Sequence, residues 1–410
     1  TRRGSGNPVR DRHRAIDTGS AITKKTLPGG FVLALFRNIQ TTFELLASFA
    51  VRGRRRPCAT AIRRLGLLGM MSYLVGMPVL AAAADSAVVL MYHRFAEDKY
   101  PSTSIRLDQF DAQLAHLEEK GYNVIPLADL LAAFSTGADL PERAVVITID
   151  DAYRSIYTVA HQRFREYDFP YTVFVASDAV DEGLSAYMSW DEMRELEADG
   201  VAFANHGAAH RSTIEEGSYA SEEERLALVR ADVEKGWRRL SEELEPLPGA
   251  FAYPYGEYDA ATAGLLQEMG YVSFGQQSGA ISTASDTRSL ARFPLAESFG
   301  GMDQFRTKVA SLPMPVLSVE PWDPVVMTRL PEITVTLGET DARIDELACY
   351  VSGQGRGEIK WQEPARRFTI GGNQAFGDGR HRVNCTAPRN DGRYLWFSHP
   401  WVVRPGPGAE

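Results

Sequence analysis

The chain has few basic residues beyond residue 84. Residues 1–84 hold 14 Lys or Arg against 3 Asp or Glu, whereas the remaining 326 residues hold 30 against 50, a net charge of −20. Such an acidic body repels the phosphates of nucleic acids and of anionic lipid headgroups. The composition therefore argues against nucleic acid as a partner of the main part of the chain.

The apolar run from Leu65 to Leu80 is too broken to favour a membrane span. It contains three glycines, a serine and a proline, and it is short for a transmembrane helix. Arginines precede it between residues 52 and 64, and Ala81–Ala84 follow it, which is the order of a secretory signal peptide. We expect a signal peptide over residues 51–84, export to the periplasm or the cell exterior, and no stable membrane insertion after cleavage. A retained membrane anchor is the alternative.

Methionine is absent before Met70. A signal peptide belongs at the start of a protein, so the segment before it needs a separate explanation. We expect residues 1–50 to be an over-extended reading frame, and a disordered extension is the alternative.

Cysteine is scarce, with three residues in the chain. Cys58 lies in the segment expected to be removed, which leaves Cys349 and Cys385 as an even pair. In an oxidising compartment this pair is expected to form a disulfide. Two unpaired buried thiols are the alternative.

The most informative segment is the buried strand predicted over residues 145–149, because Asp150 and Asp151 follow it directly. Neighbouring carboxylates repel each other, so a fold that places two at a strand end needs a cation or a proton there. His206 and His210 lie four residues apart further along the chain, and two imidazoles can face one ion if this segment turns. One Asp and two His form a ligand set that leaves positions open for water and substrate. Capping of a following helix is the alternative role for the Asp pair.

Between Ala87 and Leu295, short apolar runs alternate with amphipathic helices. Strands are predicted over Ala87–Met91, Val145–Ile149, Tyr171–Val175, Val201–Ala204, Ala250–Tyr253, Tyr271–Phe274 and Ala291–Leu295. Alternating strands and helices imply parallel strands with right-handed crossovers. We expect an α/β catalytic domain over residues 85–312, a distorted (β/α)7-type barrel of parallel strands, with an open doubly wound sheet as the alternative.

After a proline-rich segment, predicted as a linker over residues 313–325, the pattern changes to short alternating runs without long helices. A small all-β, sandwich-like domain is expected over residues 326–410, with the Cys349–Cys385 disulfide inside it. Its aromatic residues are expected in the core, and stacking on sugar rings is the alternative. These residues are Trp361, Tyr394, Trp396, Phe397 and Trp401.

Three motifs in order give the chain a specific resemblance. They are Thr148-Ile-Asp-Asp151, His206-Gly-Ala-Ala-His210 and Phe251-Ala-Tyr-Pro-Tyr-Gly256. Over residues 87–295 the chain resembles the polysaccharide deacetylase family, the NodB-homology domain of carbohydrate esterase family 4. The opening segment from Leu90 to Phe95 is similar to the exported branch that deacetylates poly-N-acetylglucosamine.

The resemblance implies roles for individual residues. Asp151, His206 and His210 would bind a divalent metal, with zinc favoured, and Asp150 would be the general base. The backbone N–H of Tyr255 would stabilise the oxyanion.

The chain departs from the family pattern at two places. Ala252 stands where the third motif usually carries an Arg that orients the base, and Arg292 is the candidate substitute. The usual Leu-X-His motif is missing near residues 290–310, and His93, after the first strand, is the candidate general acid.

These expectations lead to an exported, metal-dependent N-deacetylase, a hydrolase of amide bonds in polymers of N-acetylated amino sugars. Poly-N-acetylglucosamine is the favoured substrate, and an O-deacetylase would use the same site. The alternative functions are a non-catalytic carbohydrate-binding or matrix protein on this scaffold, and a membrane-tethered assembly factor.

Overall fold

A computed structural model describes residues 83–214, 219–362 and 366–404, which belong to one compact unit. The predicted N-terminal extension lies outside the described residues. The predicted signal peptide does so too, except for its last two residues, Ala83 and Ala84. No helix in the described part of the chain combines the length and the apolar character needed to cross a membrane.

The first part of the described chain contains the strands of a curled sheet and a few short accessory strands. These are β1 (Ala83–Ala84), β2 (Ser86–Tyr92), β3 (Arg94–Phe95), β4 (Ser104–Ile105), β5 (Asn123–Val124), β6 (Leu140–Pro141), β7 (Ala144–Asp150), β8 (Thr172–Val175), β9 (Ala202–Asn205), β10 (Ala250–Ala252), β11 (Val272–Phe274), β12 (Ala280–Ser282) and β13 (Phe293–Pro294).

Helices connect most of the parallel strands. They are α1 (Leu107–Glu119), α2 (Leu127–Thr136), α3 (His161–Glu166), α4 (Ser177–Asp181), α5 (Trp190–Ala198), α6 (Glu222–Glu243), α7 (Ala260–Glu268) and α8 (Met302–Ala310). A short π-helix (Ile156–Ala160) precedes α3. The predicted capping box is present at the start of α5, where Ser189 and Glu192 exchange hydrogen bonds.

The main sheet has the strand order β11-β10-β9-β8-β7-β2-β12, and every pairing except that of β12 is parallel. All seven strands predicted between residues 87 and 295 are found. The fold is thus mixed α/β with a curled, half-barrel sheet. Residues 290–294 connect the edge strand β11 with β2 near the other edge, because Leu290 bridges to Phe274 of β11 and Phe293 pairs with Leu90 of β2. Full closure as a seven-stranded barrel stays a prediction.

Both faces of the central strands are buried, so their sequences are apolar at nearly every position. All seven residues of β7 are buried. Val145, Ile147 and Ile149 pack in a core shared with α1 and α5. Val146 packs on the opposite face with several alanines, and on this same face Asp150 reaches the end of the strand.

Two antiparallel-rich sheets follow the curled sheet in the chain. Their strands are β14 (Leu312–Pro313), β15 (Val316–Glu320), β16 (Val325–Val326), β17 (Glu332–Leu337), β18 (Ala348–Val351), β19 (Gly355–Arg356), β20 (Lys360–Gln362), β21 (Arg367–Gly371), β22 (Gly379–Pro388) and β23 (Tyr394–Val403). The sheets have the orders β14-β23-β22-β18-β19, with β16 beside β23, and β15-β17-β21-β20.

The predicted disulfide is confirmed, and Cys349 and Cys385 occupy paired positions on β18 and β22. Part of the predicted linker is a strand, since β15 pairs with β17 and Val319 contacts the core between the two sheets. Because the described residues belong to one compact unit, a separate domain over residues 326–410 stays a prediction.

The C-terminal aromatic residues divide between core and surface. Trp401 is completely buried, and Trp396 packs edge-on against Phe293 of the curled sheet. Trp361 and Tyr394 are about two-fifths exposed, at 41% and 39%. The core role expected for these side chains therefore holds for Trp401, and Trp396 and Phe397 pack against the hydrophobic cores. Trp361 and Tyr394 are partly exposed, so stacking on sugar rings stays a prediction for these two.

Candidate active site

The polar residues singled out in the sequence meet at one end of the curled sheet. Asp150 is the last residue of β7, and His93, His206 and Tyr255 follow β2, β9 and β10. Carboxyl ends of parallel strands lie at one edge, where loops can carry functional groups on a rigid support. Arg292, just before β13, reaches the same place from the far edge of the sheet.

Asp151, His206 and His210 form a compact cluster. The Nε2 atoms of His206 and His210 lie 3.3 Å and 2.9 Å from Asp151 Oδ1, and one ligand atom from each residue lies within 4.8 Å of the others. Nitrogen and oxygen atoms that each bind zinc at about 2.1 Å have mutual separations of this size. The three side chains are therefore close enough together to hold one ion.

Two further features of the cluster fit a metal. His206 is buried and its Nδ1 lies 2.7 Å from the carbonyl oxygen of Ala252, so Nδ1–H donates there and Nε2 keeps its lone pair for a ligand. Asp151 Oδ1 is buried and accepts no well-formed hydrogen bond among the described residues. A buried carboxylate oxygen without a donor is costly unless a cation satisfies it.

Asp150 is held by Arg292 rather than by the cluster. The guanidinium donates from Nη1 to Oδ1 at 2.7 Å and from Nη2 to Oδ2 at 2.8 Å, and both side chains are completely buried. The same guanidinium donates to the carbonyl oxygen of Gly275 and to the hydroxyl of Thr148. A bidentate Arg fixes both position and orientation of a carboxylate. The third motif usually supplies an Arg that orients the base, and this chain has Ala252 at that position. Arg292 makes the equivalent contact with Asp150.

The electrostatics keep both carboxylates ionised. Burial alone would raise the pKa of Asp150, but the charges of Arg292 and His206 and the hydrogen bonds from Arg292 lower it below its usual value. Burial likewise opposes ionisation of Asp151, and the contacts of His206 and His210 lower its pKa well below the usual range. Asp150 therefore has the ionised form that a general base requires.

His93 and Tyr255 flank these groups. His93 Nε2 lies 3.9 Å from Asp150 Oδ2, and burial lowers the pKa of its imidazole. The Tyr255 ring packs edge-on against His210 at a centroid distance of 4.6 Å and is 43% exposed. Both candidates lie at the site, His93 beside the carboxylate and Tyr255 at the solvent-facing rim.

Three of these positions have an unusual backbone conformation. Asp151, His210 and Tyr255 have φ values of 76°, 51° and 59°, in the left-handed region that side chains other than glycine rarely adopt. Such strain persists where the surroundings enforce it and concentrates at functional sites. The helix-cap alternative for the Asp pair has no support, because Ser155 occupies the N-cap position of the helix that follows.

Asp232 of α6 is a contributor that the sequence reading missed. Its two carboxylate oxygens accept the backbone N–H groups of Ala208 and Ala209, at 3.1 Å and 3.0 Å, within the loop that carries both histidines. The spacing in the sequence indicates this contact, because Asp232, Gly236 and Leu240 lie at i, i+4 and i+8 and therefore on one face of the helix. Gly236 and Leu240 are buried. An acidic residue in an otherwise buried stripe indicates a specific partner.

The fold and the cluster define a class of protein: an α/β half-barrel with an Asp/His/His cluster and a buried, Arg-bound Asp at the carboxyl ends of its strands. The sequence profile of the polysaccharide deacetylase family matches residues 137–274. This match identifies a polysaccharide deacetylase domain in the part of the chain that carries the cluster.

Individual relatives show the same similarity. The poly-β-1,6-N-acetyl-D-glucosamine N-deacetylase of Escherichia coli K12 is 25% identical over 226 residues, which cover 47% of this chain and 34% of the relative. The chain thus spans about a third of that protein. Among solved structures, the deacetylase PplD of Streptococcus pyogenes has a TM-score of 0.49 at 21% identity, covering 56% of this chain and 99% of the other. IcaB from Ammonifex degensii has a TM-score of 0.48 at 24% identity, covering 55% and 98%.

Proposed function

We propose that the protein is an exported, metal-dependent N-deacetylase of polysaccharides built from N-acetylated amino sugars, with poly-N-acetylglucosamine as the favoured substrate. The observation that carries the proposal is the pairing of a buried Asp150–Arg292 ion pair with the Asp151, His206 and His210 cluster. The curated relative from Escherichia coli, whose name specifies the poly-β-1,6-linked polymer, supports the choice of substrate.

Asp151, His206 and His210 would hold the divalent metal, with zinc favoured by two imidazoles and one carboxylate. When bound, such an ion lowers the pKa of water and polarises an acetamide carbonyl. The fixed orientation of His206 by the Ala252 carbonyl supports this assignment.

The chain's own residues then divide the proton transfers. Asp150, ionised and fixed by Arg292, accepts a proton from the attacking water. The backbone N–H of Tyr255 donates to the oxyanion that forms on the acetamide carbonyl, and the left-handed conformation of Tyr255 sets the direction of this N–H. His93 is the candidate donor to the departing amine. Hydrolysis consumes one water and yields acetate and a free amino group.

A small cavity beside the cluster is a candidate binding site for the acetyl group of the substrate. It has a volume of about 40 Å³ and contacts Asp151, His210, Tyr187 and the methyl groups of four alanines. The alanines are Ala176, Ala179, Ala208 and Ala209. The alanine side of this cavity suits the methyl group of an acetyl substituent, and the side formed by Asp151 and His210 faces its polar carbonyl.

A non-catalytic carbohydrate-binding protein was the alternative, suggested by the missing Arg of the third motif. The double hydrogen bond from Arg292 to Asp150 supplies an equivalent group and favours the enzyme. A site without catalysis has no need for two buried, oriented carboxylates.

The test is acetate release from poly-N-acetylglucosamine by the purified protein loaded with zinc, with and without a chelator. Asp150→Asn is the critical variant, and Asp191→Asn is its control, because Asp191 is 85% exposed on α5. We expect chelator-sensitive release that only Asp150→Asn abolishes. Absence of release from every acetylated glycan offered, with metal bound and the fold intact, would refute the deacetylase.

A further inference from the structure

A second cleft lies beside the candidate active site, between the curled sheet and the C-terminal sheet. It has a volume of about 320 Å³. One wall is formed by Tyr255 and the segment around Gln277, and the other by residues 380–382 of β22 and 400–402 of β23. The cleft shares Tyr255 with the candidate active site, because the ring of Tyr255 packs on His210.

The charge of this cleft differs from that of the chain. Its lining contains Arg380, His381 and Arg382 and no Asp or Glu, whereas the residues beyond 84 carry a net charge of −20. Two guanidinium groups in one cleft repel each other, and an anion between them removes the repulsion.

The two arginines differ in their partners. Arg380 donates to the carbonyl oxygen of Tyr255 at 2.8 Å and lies 3.5 Å from a carboxylate oxygen of Glu257. Arg382 forms no ion pair with any of the described residues, and burial together with the charge of Arg380 lowers its pKa. Its guanidinium is therefore the group with the most unused hydrogen-bonding capacity in the cleft.

The remaining polar groups suit a sugar rather than a bare ion. Ser352 and Gln277 also line the cleft. Hydroxyl groups of a sugar can donate to such acceptors, while a guanidinium binds a carboxylate through two parallel hydrogen bonds.

We propose that this cleft is a subsite for a carboxylate-bearing sugar next to the N-acetylated unit that is deacetylated. Poly-N-acetylglucosamine has no carboxylate, so the subsite adds affinity for acidic heteropolymers of the same class and is not needed for the neutral polymer. Arg382 binds the carboxylate, and Arg380 orients it while fixing the Tyr255 carbonyl. The proposal rests on the proposed function for its substrate class, but sugar binding in the cleft can be measured without any reaction.

The binding test uses the zinc-loaded Asp150→Asn protein, which is expected not to consume the sugar, and isothermal titration calorimetry. The probe is a tetrasaccharide that alternates N-acetylglucosamine and glucuronic acid. Its matched control is the same tetrasaccharide with each carboxylate reduced to an alcohol. We expect the acidic form to bind about tenfold more tightly, as a charge-assisted pair of hydrogen bonds allows.

The arginines are tested by Arg382→Gln and by Arg380→Gln, and Arg380 is the more exposed of the two. Each should reduce the preference for the acidic form, and the double variant should abolish it. Arg393→Gln, on the exposed turn before β23, is the control and should retain the preference.

Equal binding of the two tetrasaccharides, or a preference that survives in the double variant, would overturn the proposal. Free glucuronate that binds as tightly as the tetrasaccharide would also overturn it, because the site would then serve small acids. If acetate release fails on every glycan while the acidic preference and its loss are observed, the deacetylase is refuted and the subsite stands.

Discussion

The ion pair between Asp150 and Arg292 gives the most exacting test of the site. Both side chains are completely buried, and two hydrogen bonds of 2.7 Å and 2.8 Å join them. Arg292→Met keeps most of the side-chain volume but removes the charge. The Asp150 carboxylate would then be buried without its main partner, and we expect the free energy of unfolding to fall by about 3–5 kcal/mol.

A surface ion pair provides the scale for comparison. Arg306 and Asp303 pair at 3.1 Å on α8, with the side chains 56% and 100% exposed. Arg306→Met should cost less than about 1 kcal/mol, because water screens this pair. The two variants remove the same charge, so their difference measures the effect of burial.

A double-mutant cycle isolates the interaction itself. Asp150→Asn combined with Arg292→Met removes both charges, and the double variant should be more stable than the sum of the single effects predicts, by about 2 kcal/mol. Urea denaturation of the four proteins, each at equal zinc concentration, measures the cycle. If the two single effects add within about 0.5 kcal/mol, a stabilising interaction between Asp150 and Arg292 is refuted.

The activity of two Arg292 variants separates the effect of orienting Asp150 from the effect of the positive charge beside it. Arg292→Lys retains a positive charge but cannot donate in the bidentate geometry, so it should lose activity while keeping more stability than Arg292→Met. We expect acetate release to fall about a hundredfold in either variant, because Asp150 is no longer held for proton transfer. Full activity in Arg292→Lys would show that charge alone suffices.

Three further predictions concern the support of the fold and the site. Burial lowers the pKa of His399 to about 4, so between about pH 6.5 and pH 4 its imidazole gains a proton mainly in the unfolded chain. The free energy of unfolding should therefore fall by about 3 kcal/mol from pH 7 to pH 4. Urea titrations measure this fall, and His399→Gln should reduce it. Asp232→Asn should weaken zinc binding about tenfold in chelator competition, whereas Glu234→Gln on the exposed side of the same helix should not. Reduction of the Cys349–Cys385 disulfide, 36 residues apart, should lower the free energy of unfolding by about 4 kcal/mol.

The sequence was sufficient for the strands and for the principal polar residues. Buried strands such as β7 have an apolar pattern that depends only on local residues, and the Asp pair marks its end. Arg292 was found because a missing Arg in the third motif required a substitute at another strand of the same sheet.

The contacts that position these residues depend on packing between distant segments. The hydrogen bonds that Asp232 accepts from Ala208 and Ala209 require α6 to lie against the His206 loop. No local sequence pattern specifies this contact. The segment that contains β15 has the proline-rich pattern of a linker, which is a local signal, whereas the pairing of β15 with β17 is a tertiary contact. Arg380 reaches Tyr255 across 125 residues of sequence.

These distant contacts explain how the strained backbone of the candidate site is maintained. Left-handed conformations cost about 1–3 kcal/mol each, so Asp151, His210 and Tyr255 need support from outside their own loops. The N–H of Asp151 donates to Phe174 of β8, Asp232 holds the two residues that lead to His210, and Arg380 of β22 binds the carbonyl oxygen of Tyr255. The supports come from a strand, a helix and the C-terminal sheet in turn. The geometry of the candidate site therefore depends on the packing of the whole unit, and the C-terminal sheet supports it through the contact of Arg380 with Tyr255.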